Sequence, residues 1–282
     1  MSCFGWPPLK RKKKIVTLMP SSILSVDSSL LEKTYKAGYL SRTLALYRVD
    51  EVIVYNDANS TNFDAKFLEL ILKYQVTPPH IKKKLFKKSR LLRYAGLLPP
   101  VRLPNHDPPK EARVGYVLDG IIENCREGVC HVFLGKLSEG ILRIDGNIKS
   151  EGKIVTVKIH KIAGNKIYLK KSDWKDIYTG YKVRRSKRVE EITSRLSRDG
   201  YLVIGTSRLG LCITKDLINE VESRLTKKKG IALVVGGPYK GIDINKGTYD
   251  YVLNTVINQG TITVRSEEAL ISTLSILNLF TN

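Results

Sequence analysis

The chain has 282 residues and carries 48 Lys and Arg against 27 Asp and Glu, a formal net charge of +21 at pH 7. A basic surplus of that size does not stabilise a compact body, because like charges repel; it points to a polyanionic partner whose phosphates supply most of the affinity. Apolar residues make up 42% of the chain, and no apolar run approaches the roughly eighteen that a membrane span needs, so a membrane partner is not expected.

The N-terminus holds a basic stretch, Lys10 to Lys14, followed by only a short apolar run, Ile15 to Met19, too short for a secretory signal. A cytoplasmic location is expected. From there the pattern reads strand, helix, strand, helix. Ile15 to Met19 and Glu51 to Tyr55 are β-branched runs. Ser28 to Tyr47 and Phe63 to Tyr74 have helical spacing, the second with Phe67, Leu68, Ile71 and Leu72 on one face. Strands alternating with helices predict a parallel α/β sheet.

At Pro78-Pro79 the pattern breaks. Lys82, Lys83, Lys84, Lys87, Lys88, Arg90 and Arg93 crowd a segment read as one basic helix, Ile81 to Arg93, and prolines at 99, 100, 104, 108 and 109 mark a boundary. Five short alternating runs follow: Arg113 to Leu118, Val129 to Leu134, Gly140 to Ile144, Lys153 to Ile159 and Lys166 to Leu169. They predict a small five-stranded β-barrel, with an OB-fold as the best match. Cys125, Cys130 and His131 stand close together, but no second ligand pair at finger-like spacing accompanies them, so no metal site is expected. Cys130 reads as a buried thiol on an inward strand position, and no disulfide framework is indicated; Cys3 and Cys212 stand apart.

After Trp174 the α/β rhythm returns, with strands at Tyr181 to Arg185, Tyr201 to Ile204, Ile231 to Val235 and Tyr251 to Leu253, and helices at Val189 to Leu196 and Thr214 to Leu225. The predicted organisation is one α/β domain, 10–78 and 178–282, interrupted by the basic helix and barrel at 79–177. The last helix is apolar in nearly every direction (Ala269, Leu270, Ile271, Leu274, Ile276, Leu277, Leu279, Phe280) and is expected to be buried all round. Ser266 reads as its N-cap.

Three loops at the ends of three C-terminal strands carry the candidate chemistry: Gly205 to Gly210, Gly236 to Gly241, and Asn254 to Arg265. The second is neither a Walker P-loop, lacking Gly-Lys-Ser/Thr, nor a Rossmann turn, lacking G-x-G-x-x-G. What remains is a pocket built largely of backbone, since glycine lets main chain approach a ligand closely.

The order of these loops resembles the SPOUT methyltransferases, whose last cofactor loop holds an Asn, a Gln-Gly, and an Arg followed by Glu-Ala. Asn254, Gln259, Gly260, Arg265, Glu268 and Ala269 stand in those places. Many relatives carry proline between the Asn and the Gln; this chain has Ile257 and Asn258. Leu18-Met19-Pro20-Ser21-Ser22-Ile23-Leu24, Thr34 to Gly38, Arg48 to Tyr55 and Tyr94 to Pro99 are similar to an archaeal and eukaryotic family of RNA methyltransferases with an OB-like insertion.

The resemblance spans about Lys14 to Asn278 and implies an α/β fold tied in a trefoil knot, S-adenosyl-L-methionine as cofactor, and a homodimer. It places the cofactor at Thr206, Gly210, Gly236, Gly237, Pro238, Gly241, Asn254, Val256, Gln259, Gly260, Thr261 and Val264. Arg42 occupies the position of an arginine near the acceptor in the ribose-methylating branch, where it holds a phosphate or stabilises an anionic nucleophile. The basic helix and the barrel are the RNA handles. Ribosomal RNA is the implied substrate, with a base nitrogen such as uridine N3 ahead of a ribose oxygen. The rival reading is a non-catalytic RNA-binding or ribosome-assembly factor that kept the fold.

Overall fold

The computed structural model describes residues 5–137, 139–144 and 151–281; Cys3 lies outside them. The chain divides into two compact units. One comprises the residues up to Lys10, Val76–Ser89 and Arg102–Thr179; the other comprises Arg11–Gln75, Arg90–Val101 and Gly180–Asn282.

The second unit opens with β1 (Lys14–Pro20), buried beyond its first residue, and α1 (Leu30–Leu46). A capping box starts α1: Ser29 Oγ accepts from Glu32 N at 3.1 Å, and Glu32 Oε2 accepts from Ser29 N at 2.8 Å. Next come β2 (Glu51–Tyr55) and α2 (Asn62–Val76), the latter burying Phe67, Leu68, Ile71 and Leu72 as its spacing predicts.

The predicted basic helix is not one helix. α3 (Pro79–Leu85) ends at Phe86, whose backbone is extended. Continuing it would stack Lys83 on Lys87 and Lys84 on Lys88 at i,i+4, where like charges repel. The cluster is also divided, with Lys82 to Lys88 in the first unit and Arg90 and Arg93 in the second.

The first unit is a closed five-stranded barrel of β3 (Val117–Arg126), β4 (Val129–Phe133), β5 (Glu139–Arg143), β6 (Ile154–Ala163) and β7 (Lys166–Lys171), in the order β3-β4-β5-β7-β6. Leu118, Ile122, Val132, Leu142, Val157 and Leu169 fill its interior. The first barrel strand differs from the reading at Arg113 to Leu118. It runs through Asp119-Gly120, a pair that resembles a turn signal. A Cβ at Gly120 would lie 2.5 Å from Val132 Cγ1, so glycine here admits core side chains rather than a reversal. Asp119 is buried and accepts hydrogen bonds from Asn105 Nδ2 (2.8 Å), Thr156 Oγ1 (2.7 Å) and Trp174 Nε1 (3.0 Å).

Cys130 is buried as expected but is no free thiol: Cys125 and Cys130 face one another across the β3–β4 hairpin and are joined in a disulfide. The antiparallel register brings the pair together, which spacing alone does not reveal. Both thiolates that a metal clip with His131 would need are consumed. Closing so short a loop stabilises by about 2 kcal/mol in the chain-entropy treatment. Reduction with dithiothreitol is therefore expected to lower the barrel unit's stability in urea by about that amount, with no effect on ligand binding by the α/β unit; an unchanged urea midpoint would show the bridge to be silent.

The chain then returns to the α/β unit with β8 (Lys182–Ser186), α4 (Val189–Arg198), β9 (Tyr201–Cys212), α5 (Lys215–Thr226), β10 (Gly230–Val234), β11 (Tyr251–Asn254) and α6 (Ser266–Leu277). The six strands of this unit form one sheet in the order β11-β9-β10-β1-β2-β8, and every pairing is parallel. β10 is buried along its whole length, as a central strand of a covered parallel sheet must be. The loop read at Gly205 to Gly210 is an excursion within β9. Pairing with β11 jumps from Val252↔Gly205 to Leu253↔Leu211, so Thr206 to Gly210 leave the ladder between two adjacent β11 residues.

Two readings of α6 are corrected. Its N-cap is Arg265, whose N–H donates to Glu268 Oε2 at 2.8 Å. Ser266 instead turns inward. Nor is the helix buried all round: Leu270, Leu274 and Leu277 are buried and Ile271 and Ile276 half-buried, while Leu279 and Phe280, read as part of it, lie beyond its end at Leu277, Leu279 75% exposed. Among the described residues, only the Leu270–Leu274–Leu277 face of the helix is fully covered.

Candidate active site

In a parallel sheet, ligands collect beyond the carboxyl ends of the strands where the chain order reverses direction. Here that point is β9, which has β10 on one side and β11 on the other. The excursion in β9, the turn after β10 and the loop after β11 meet there around a cavity of about 280 Å³.

Of the predicted residues, Thr206, Gly236, Gly237, Pro238, Gly241, Asn254, Val256, Gln259 and Val264 line this cavity. Three do not. Gly210 packs under β11, where a Cβ would meet Val252 O at 2.6 Å. Gly260 and Thr261 are exposed farther along the third loop, and a Cβ at Gly260 would meet nothing within 4 Å. Sequence reasoning misses Arg208, Tyr239, Lys240 and Ser266 as lining residues. The first three sit inside the predicted loops, and their signal is a cationic or aromatic side chain between glycines. Ser266 reads in sequence as a cap and carries no other signal.

The middle turn is fixed from several sides. Gly241 N donates to Gly237 O at 3.0 Å, and Gly241 has φ of 66°, a left-handed value suited to glycine. Ser266 Oγ donates to Gly236 O at 2.7 Å, tying the start of α6 to the turn. Tyr55 Oη donates to Val235 O at 2.8 Å. Burial is the main cause that raises the Tyr55 pKa well above its ordinary value, so the phenol stays protonated as a donor. Behind the turn, Ser22 Oγ donates to Asp57 Oδ2 at 2.6 Å.

The outer two loops hold each other. Asn254 Nδ2 donates to Arg208 O at 3.2 Å, Arg208 Nη1 donates to Ile262 O at 3.0 Å, and Asn254 Oδ1 accepts from Val256 N at 3.1 Å. Gln259 Nε2 donates to Thr261 O and Ile262 O, at 2.8 and 3.1 Å, folding the third loop on itself. These bonds present backbone edges and small polar groups to the cavity. That lining suits an adenine edge and an amino-acid moiety, and the close floor at Gly236 and Gly237 fits a ligand held by main chain.

Arg42 is not among the lining residues; it is exposed on α1, and its Nη1 donates to Pro100 O at 3.0 Å. The basic candidates are uneven. Burial lowers the Lys82 pKa to about 8, and Lys84 Nζ is paired with Glu123 at 2.5 Å. Lys83, Lys87, Lys88, Arg90 and Arg93 are exposed. Among the described residues no helix is long and apolar enough to cross a membrane.

Residues 14–277 match a family model described as "Putative RNA methyltransferase". An uncharacterized protein of Haloarcula marismortui is 31% identical, over 93% of this chain and 98% of its own length. The 28S rRNA (uridine-N(3))-methyltransferase of Homo sapiens is 28% identical, over 92% of this chain and 76% of its own. Among solved structures, the SpoU methyltransferase AviRb from Streptomyces viridochromogenes, in complex with AdoMet, is 10% identical and aligns over 96% of this chain and 59% of its own, with a TM-score of 0.41. The family model covers both strand sets of the sheet, the barrel between them and all three cavity loops, so the chain belongs to this RNA methyltransferase family.

Proposed function

We propose that the protein is an S-adenosylmethionine-dependent methyltransferase acting on ribosomal RNA, with a base nitrogen such as uridine N3 as acceptor, as in the human relative's name. The observation that carries the reading is the cavity at the β9 switch point, floored by the glycine turn of a family member. Bound there, the cofactor supplies a methyl group already activated on a sulfonium. The chain's task is then alignment and exclusion of water, for which positioned backbone suffices. Gly236, Gly237 and Gly241 set the floor, Asn254 and Gln259 hold the third loop in place, and Arg208, Tyr239 and Lys240 stand at the cavity where the acceptor must enter.

The chain is further proposed to be knotted, to have an OB-type barrel and to work as a homodimer. The half-buried Ile271 and Ile276 of α6, and beyond its end Leu279 at 75% exposure, together with Leu209 at 79% and Ile262 at 87%, supply apolar surface for a second copy. In that assembly Arg42, outside its own cavity, serves the acceptor of the other subunit.

The test is calorimetric titration with S-adenosylmethionine and S-adenosylhomocysteine. Micromolar binding is expected for the wild type and none for Gly237→Trp, because a Cβ at Gly237 would lie 2.3 Å from Asp57 Oδ2 and 2.8 Å from Ser22 Oγ, which turns any side chain against its own support. Failure of the folded wild type to bind either compound would leave the non-catalytic RNA-binding factor as the reading.

A further inference from the structure

The barrel's outer face carries cationic side chains that pair with no carboxylate among the described residues. Leu142, Val157, Ile159, Ile167 and Leu169 point into the core, so their neighbours along the strands point out. In register on the outside, Lys158 stands opposite Lys170 across β6 and β7, and Lys161 stands opposite Tyr168. Tyr168 in turn pairs with Ile141 on β5, and Ile141 with His131 on β4. Arg143, the next outward position on β5, lies one residue beyond the Leu142–Leu169 pair, as Lys170 does on β7, and so stands beside the Lys170–Lys158 pair.

Two rows therefore run side by side, one over four strands and one over three. One is His131, Ile141, Tyr168 and Lys161; the other is Arg143, Lys170 and Lys158. Lys158, Lys161, Lys170 and Arg143 are exposed. Among the described residues no carboxylate forms an ion pair with any of them; the face's acidic group, Glu139, is paired with His131. Like charges directly opposite one another in an antiparallel ladder destabilise the sheet. Lys158 faces Lys170 with no ion-paired carboxylate among the described residues, a repulsion that an external anion would relieve.

We propose that this face of β5, β7 and β6 binds single-stranded RNA. Arg143, Lys158 and Lys170 take successive phosphates, Lys161 flanks them, and Tyr168 offers a half-buried ring on which one base stacks. The geometry favours a single strand over a duplex because the Tyr168 ring lies beside the cationic row, where only an unpaired base can reach it. Readout is by backbone and stacking, so sequence choice is left to the cavity of the α/β unit. The choice of RNA as the polyanion rests on the proposed function.

The test is fluorescence anisotropy of a labelled 20-nucleotide uridylate RNA with the full chain over a salt series. Lys158→Ala with Lys170→Ala is expected to weaken binding about tenfold near 0.1 M salt and to reduce the slope of log K against log salt by about 1.4, about 0.7 for each single-strand phosphate that is no longer neutralised. Tyr168→Ala is expected to weaken binding about fivefold without changing the slope, and Tyr168→Phe to restore it. Thermal midpoints of the lysine variant are expected to stay level or rise, since a repulsion is removed.

The proposal is overturned if the double variant keeps wild-type affinity and slope. It is equally overturned if Lys215→Ala with Lys227→Ala, exposed lysines of the other unit, causes the same loss, or if a duplex of equal length binds as tightly and loses as much. Titration of S-adenosylmethionine into the same preparations separates the two claims: cofactor binding with no RNA effect sinks the barrel face alone, and RNA effects without cofactor binding sink the enzyme reading alone.

Discussion

Gly236→Ala is expected to abolish cofactor binding, weakening it at least about 100-fold, about 2.7 kcal/mol, while leaving the protein folded. An alanine Cβ there would lie 2.3 Å from Gly241 C, 2.5 Å from Ile242 N and 2.6 Å from Gly241 Cα. All three are backbone atoms, so no side-chain rotation relieves the contact. The turn must open, yet the Gly236 carbonyl is held by Ser266 Oγ and the far side of the turn by the bond from Gly241 N to Gly237 O. Opening it moves the cavity floor and the start of α6 together. Gly260→Ala is the matched control. It lies in the third loop, where its Cβ would meet nothing within 4 Å, and near-wild-type binding is expected. Calorimetry on both variants, with circular dichroism to confirm folding, decides the matter. Wild-type affinity in Gly236→Ala would mean that the turn does not form the cofactor's floor.

Asp119→Ala is expected to destabilise the barrel unit by about 2 to 4 kcal/mol, because it strands one buried donor, Asn105 Nδ2, and two half-buried ones, Thr156 Oγ1 and Trp174 Nε1. Asn105 Nδ2, Thr156 Oγ1 and Trp174 Nε1 all bond to its carboxylate, which is 5% exposed. These donors come from a loop before the barrel, from β6 and from the segment after β7, so one side chain joins three parts of the chain that lie far apart in sequence. Asp119→Asn retains one acceptor oxygen and is expected to lose less. Urea unfolding followed by tryptophan fluorescence is the measurement, Trp174 reporting directly. A loss below about 1 kcal/mol for the alanine variant would show that water replaces the carboxylate and that the network is not what holds the barrel's edge.

The same two residues, Asp119 and Gly120, show where the sequence stops being readable. As a dipeptide they have the chemistry of a turn, which ends the first barrel strand at Leu118 on a reading of the sequence. In the fold the glycine is required by the approach of Val132 and the aspartate by three distant donors. Both causes are tertiary. The disulfide between Cys125 and Cys130 escapes for the same reason: it depends on β3 and β4 pairing in one register, which a spacing of five residues leaves open.

Periodicity alone set out the strands and helices of the α/β unit, because a covered parallel sheet needs continuous apolar runs and its helices one apolar stripe. β2 at Glu51–Tyr55 and the buried stripe of α2 agree with that reading residue for residue. The glycine motifs, through their resemblance to a known family, located the three loops of the cavity. What only the tertiary structure decided is how those loops share the work. The first is an excursion within β9 that admits Thr206 to the cavity and turns Gly210 away from it, and Ser266 anchors the middle turn instead of capping a helix. The doubled lysines of the barrel became meaningful only once register set Lys158 against Lys170. Local pattern records which face of an element is buried, a property of neighbours in sequence; which element meets which, and at what register, depends on contacts between residues far apart, and the functional arrangement is made of those contacts.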